Sequence, residues 1–342
     1  MFPIIIKNRS TILLALSLAV LSVFSLFVGV TSINPLSLLN AADSMEFKIF
    51  FLTRLPRLLA ILCTGAGMSV AGLIMQQLCM NKFVSPSTGA TIQSAQFGIL
   101  LSLVFLPAMG MWSRVMLAFA SAILGTWVFV WFIQKIQFKS TVMVPLVGIM
   151  FGNVLGGITS FIAYRQEVTQ QLSSYFVGSF ALVIKGRYEL VWLVLPLIIT
   201  AFIFANYFNI VGMGQDFSQN LGVNHKLVLF MGLTISSVIT ASVVTVVGQI
   251  SYIGLIIPNI VAMFKGDKIK GTLIDTALLG ALFVLVCDII ARRIIMPYEL
   301  PIELIAGIIG SFMFIGMLIC KLNKVSRPSE IFRRREGSGC GV

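Results

Sequence analysis

The sequence predicts an all-α, polytopic membrane protein with about ten transmembrane helices, and three observations carry that prediction. Hydrophobic residues make up 58% of the chain and charged residues 11%, where soluble domains carry about a quarter charged. The apolar residues gather into ten runs, most of them near the roughly 20 residues that cross a bilayer. Lys and Arg concentrate at alternate run ends and in the C-terminal tail, as they do in loops facing the cytoplasm. Membrane lipid therefore takes the place of a soluble core. The formal charge of +12 is a topology signal and not a nucleic-acid footprint.

The first run, 11–31, follows Lys7 and Arg9. It exceeds the roughly 7–15 apolar residues of a signal-peptide core, so it reads as a retained span. The second, 54–78, opens on Arg54-Leu55-Pro56-Arg57, with Pro56 suited to a first helical turn, where its missing N–H would have no partner anyway. Runs 88–107 and 112–134 follow. Run 143–164 carries Gly148, Gly152 and Gly156 at four-residue spacing, a pattern that lets another helix approach closely. The stretch Gly152 to Thr159 has the outline of a phosphate-binding loop. Ile158 stands where its Lys must be, and the stretch lies inside a span, so there is no nucleotide site.

Residues 165–187 read as a connecting segment with a partial helix, leading into run 188–208. The polar loop 212–226 is long enough for a short amphipathic helix ending at Gly222. Run 227–247 is followed by 251–264, which is short and opens on Ser251-Tyr252. A broken helix of this kind is tolerated only where protein buries it or it lines a cavity. Runs 272–295 and 302–320 complete the set. One membrane domain thus spans residues 1–322. The tail 323–342, with Arg333-Arg334-Arg335, reads as a disordered basic end near anionic headgroups.

An even number of spans places both termini on one side, and the basic tail places that side in the cytoplasm. Lys48, Arg54, Arg57, Arg114, Arg165, Lys185, Arg187, Arg292 and Arg293 then fall on the opposite side, against the usual bias. Arg54 and Arg57 lie three apart and share a helix face. A fixed cationic pair at an outer helix end points to an acidic docking partner. Asp288 has Arg292 as its i+4 neighbour and pairs with it. Asp275, beside Lys268 and Lys270, reads as a solvated end charge. His225 is the single histidine, and Cys63, Cys79, Cys287, Cys320 and Cys340 are scattered. No metal site, cofactor site or catalytic constellation is expected, and the chain is not read as an enzyme.

Three C-terminal stretches stand out: Gly248-Gln249-Ile250-Ser251-Tyr252-Ile253-Gly254-Leu255-Ile256-Ile257-Pro258-Asn259, then Asp288-Ile289-Ile290-Ala291-Arg292, then Glu299-Leu300-Pro301 running to Gly307. With Arg54-Leu55-Pro56-Arg57, Asn81-Lys82-Phe83-Val84-Ser85-Pro86 and Leu221-Gly222-Val223, they follow one another in order over nearly the whole chain. This set resembles the permease subunits of ABC importers for iron siderophores, haem and cobalamin, the FecCD type. The departures are Asn259 in place of a His, Gly266-Asp267-Lys268 in place of D-H-R, and Gly307 displaced by three residues with Glu303 intervening. The loop after Asn81 looks like the branch serving catecholate siderophores.

The resemblance implies a type II importer fold like the cobalamin permease, in the bacterial cytoplasmic (inner) membrane with both termini cytoplasmic. It implies a second permease subunit (a heterodimer), two cytoplasmic ATPase subunits that hydrolyse the ATP, and an extracytoplasmic siderophore-binding protein. By that resemblance Arg54, Arg57 and Arg292 receive the binding protein's carboxylates. Gln215, Asp216, Phe217, Ser218, Gln219, Asn220, Leu221 and Gly222 couple to the ATPases, and Asn81, Thr141 and Val142 form gates. Haem or cobalamin import, and an ion-coupled secondary transporter, are the alternatives.

Overall fold

A computed structural model describes residues 2–29, 45–86, 90–108, 110–135, 143–186 and 188–325. Among them the chain is helical, with no strand beyond an isolated bridge between Val177 and Gln249. The helices are α1 (Phe2–Phe27), α2 (Leu55–Leu78), α3 (Thr91–Phe105), α4 (Met111–Lys135), α5 (Met143–Arg165), α6 (Thr169–Ser174), α7 (Val194–Val211), α8 (Gln215–Asn220), α9 (His225–Val247), α10 (Ile253–Lys265), α11 (Ile269–Arg293) and α12 (Ile302–Val325). All ten apolar runs are helices. Eight are long and apolar enough to cross a membrane, while α3 and α10 are shorter. The third run therefore holds a shorter helix than its 88–107 extent suggests.

Helix α2 begins its α-helical turns at Leu55 with Pro56 in the first of them, but the chain is already helical before it. It continues from a short helix, Met45–Ile49, through a π-helical turn, Phe50–Arg54. Pro56 has no N–H and its ring crowds the carbonyl four residues back. One wider turn absorbs both effects: the Leu55 N–H reaches five residues back to the Phe50 carbonyl. A proline that reads as a helix start is here accommodated inside a longer one.

The axis of the bundle is α2, buried along most of its length, with α7, α9, α10 and α11 packed around it. Its crossings are glycine-on-backbone. A Cβ at Gly65 would strike Gly280 and Ala281 of α11, and one at Gly72 would strike Gly254 of α10. Such contacts replace the hydrophobic drive that lipid does not supply between helices. The Gly152 and Gly156 face of α5 behaves differently. It meets the Gln93 side chain of α3, 3.2 Å and 3.6 Å from where their Cβ atoms would stand, with no backbone contact.

The half-length helix α10 lies between Gly248 (φ 88°) and Gly266 (φ 82°), with Tyr252 also left-handed at φ 70°. Pro258 within it cannot donate to the Gly254 carbonyl. The Gln76 amide of α2 does so instead, at 3.2 Å, and reaches Leu255 O at 3.1 Å. A broken helix buried against protein was the expectation, and α10 fits it.

Candidate functional site

Two ion-paired ends of the bundle hold most of the residues the sequence singled out. At one end, α1 finishes, α2 begins and α11 finishes. Arg57 stands at its centre. Its Nη2 lies 2.8 Å from Asp288 Oδ1 and its Nε 3.2 Å, while its Nη1 donates to both oxygens of Glu299 at 2.8 and 3.0 Å. Asp288, 1% exposed, also meets Arg292 Nη2 at 2.7 Å. The i+4 pair is therefore present, inside a four-membered network of two arginines and two carboxylates.

Arg292 turns inward. Its guanidinium donates to the carbonyls of Ser25 (3.2 Å) and Val28 (2.7 Å) and to the Ser25 hydroxyl (2.5 Å), and its side chain is 6% exposed. Arg54 Nη1 donates to Leu26 O at 2.7 Å. A helix ends with carbonyls that lack intrahelical donors, and cations are favoured there. Arg54 and Arg292 cap the C-terminus of α1. The structure thus brings Arg54, Arg57 and Arg292 to one end, with Arg54 and Arg57 both partly buried and Arg292 buried. Sequence reasoning missed Glu299. Its signal was available: an acid in the linker before α12, on the same side as the unexplained arginines.

At the opposite end, Asn81 makes a turn in which its Oδ1 accepts from the Phe83 N–H at 2.9 Å. Lys82 pairs with Asp267 at 2.7 Å, both exposed. Asn259, where a His was anticipated, donates from Nδ2 to Lys82 O and to Leu255 O, each at 2.7 Å. It therefore ties the Asn81 loop to α10. Thr141 and Val142 lie outside the described residues.

Asp275 is not a solvated charge. It is 4% exposed, paired with Lys265 at 2.6 Å, and accepts from the Thr11 hydroxyl at 2.7 Å, which in turn accepts from Lys265 Nζ at 2.9 Å. α1 and α10 cover it, so burial selects a paired acid. Cys79 is also buried here, which pushes its thiol up to about 12 and leaves it inert.

Between α7 and α9 the polar loop forms α8. It ends as a Schellman motif: Val223 N donates to Ser218 O, Gly222 N to Gln219 O, and Gly222 has φ 72°. Ser218 is buried, 3.0 Å from His225 Nδ1. Met213, Phe217 and Leu221 face outward, exposed. At the arginine end, a cavity of about 590 Å³ opens between Trp112, Gln171, Ser174, Tyr175, Ser179 and Thr245. Arg114 donates to the Tyr175 hydroxyl there at 3.1 Å. No group of His, Cys, Asp or Glu among the described residues is arranged to hold a metal ion.

A helical bundle crossing the membrane many times, with one half-length helix buried inside it and ion pairs at both ends, is a transporter-type architecture. The chain belongs to the FecCD transport family, whose family model matches residues 17–321. It is 46% identical over 302 residues to the petrobactin import system permease protein YclN of Bacillus subtilis (strain 168), covering 88% of this chain and 95% of that protein. It is 36% identical to the petrobactin import system permease protein FatD of Bacillus anthracis, covering 92% of each. It is also 36% identical to the ferric-anguibactin transport system permease protein FatD of Vibrio anguillarum (86% and 94%). In fold it matches a solved structure described as an inward-facing metal-chelate type ABC transporter, with TM-score 0.80 and 24% identity over 91% of this chain and 99% of that one. It is a permease of the ABC importer class and a multi-pass inner-membrane protein, and membership implies ATPase and binding-protein partners.

Proposed function

We propose that the chain is the permease subunit that carries a ferric siderophore, of catecholate type, across the cytoplasmic membrane. The 46% identity to a petrobactin permease along 88% of the chain carries this reading. The iron of such a cargo is already coordinated, so the permease needs a passage and not iron ligands.

In this proposal both termini are cytoplasmic and the arginine end faces outward. An acidic binding protein docks there on Arg57, with Arg54 beside it and Arg292 holding α1 behind. Bidentate Arg–carboxylate pairs would give register as well as energy. The other end faces two ATPase subunits, which hydrolyse the ATP. The segment Gln215–Gly222 couples to them, its exposed Phe217 and Leu221 offering an apolar knob. The Asn81 loop, pinned by Asn259 and by the Lys82–Asp267 pair, forms the inner gate. A second, different permease chain completes the passage.

Cargo class is tested by stimulation of ATPase activity in the reconstituted complex. Ferric catecholate siderophore with the binding protein should stimulate it, and haem or cobalamin should not. Stimulation by haem or cobalamin alone would reassign the cargo.

A further inference from the structure

We propose that Glu299 is an internal stand-in for the docking partner's carboxylate, held on Arg57 until the partner displaces it. This rests on the docking reading above. The two carboxylates on Arg57 are not equivalent. Asp288 is 1% exposed, sits on α11 and is shared with buried Arg292, so it is the permanent counter-charge. Glu299 is 29% exposed and reaches Arg57 from the linker between α11 and α12. It contributes both oxygens to one guanidinium nitrogen, Nη1. That is the edge an incoming acid would use.

The charges support exchange. Arg57 and Arg292 with Asp288 alone carry one net positive charge, and Glu299 cancels it. An incoming carboxylate would restore the same balance, because Asp288 stays in place as the counter-charge of Arg292. The pair is more open on the Glu299 side, 29% exposed against 15% for Arg57, which is the side an incoming acid can reach. The linker is built to be contacted. Ile294, Ile295, Met296 and Tyr298 are exposed on it, Tyr298 at 76%.

Release of Glu299 has somewhere to lead. The linker runs through Pro301 into α12, where the Glu303 N–H donates to Gly178 O at 3.3 Å and its carboxylate accepts from Gly178 N at 3.4 Å. Val177 and Ser179, on either side, line the 590 Å³ cavity. Docking at Arg57 is thereby linked to the wall of the cavity through one short segment.

The test is the affinity of the binding protein for the complete transporter in nanodiscs, measured at several salt concentrations. Glu299→Gln removes the competing charge while keeping size. It should tighten binding about three- to tenfold and steepen the salt dependence, since one more uncompensated positive charge faces the partner. Glu299→Asp, which keeps the charge, should stay near the wild-type affinity and guards against a folding defect. The double variant Arg57→Gln with Glu299→Gln removes the docking charge and its own partner, leaves the buried Arg292–Asp288 pair intact, and should weaken binding. If that double variant weakens binding while Glu299→Gln leaves affinity unchanged or lowers it, the stand-in role is overturned and docking survives. If neither change moves affinity, the docking reading itself is wrong.

Discussion

Pro258 and Asn259 show how much one residue decides at the broken helix. Proline removes a donor from the first turns of α10, and Gln76 supplies it from the neighbouring helix. A buried carbonyl left without a donor costs about 1–3 kcal/mol. Gln76→Leu should therefore lower the detergent-solubilised unfolding midpoint by several degrees, whereas an unchanged midpoint would mean water replaces the amide. Asn259 works outward, from α10 to the Lys82 carbonyl. Asn259→Ala should loosen the Asn81 loop and speed thiol labelling of a Ser85→Cys reporter; equal labelling rates in both backgrounds would remove Asn259 from the gate. Neither contact was legible in the sequence, because Asn259 lies 177 positions from its acceptor. The sequence marked Asn259 only as a departure from a pattern. Asp288 and Arg292 were legible because a helix brings i and i+4 together by itself.

At the scale of elements, apolar run length was a good guide. Each of the ten runs is a helix, since a bilayer leaves few alternatives to one. Boundaries were harder where a neighbour intervenes. The Met45–Arg54 extension of α2 was hidden by Pro56, which reads as a helix start unless a π turn absorbs it. Asp275 was read as solvated because its own helix offers Lys268 and Lys270, while the true partners come from α10 and α1. That triad makes a sharp prediction. Removing one member of a buried pair strands the other charge at about 3–5 kcal/mol, whereas replacing both with apolar residues is often neutral. Lys265→Met should destabilise the protein strongly, and adding Asp275→Leu should recover much of the loss. If the double variant is as unstable as the sum of the singles, the pair is not an isolated interacting unit. Gly72→Ala should also fail to assemble, because its Cβ would meet the backbone of α10.

For the whole molecule, charge did most of the work. The arginines on the side with few cations gave the sequence its one sign of a docking face, and three of them meet at one end of the bundle. Their division of labour was not legible, since distant partners separate them: Arg292 and Arg54 hold the end of α1, and Arg57 pairs with Asp288 and Glu299. The cavity was also invisible in the sequence, because its wall combines α4, α6, α9 and the segment 177–186. The most direct measurement is uptake of radiolabelled ferric catecholate siderophore into proteoliposomes. They would hold this chain, its partner permease and the ATPase subunits, with binding protein added outside. Uptake that requires both ATP and binding protein is the predicted result. Uptake driven by a proton gradient with the ATPases absent would contradict the account and make the chain a secondary transporter.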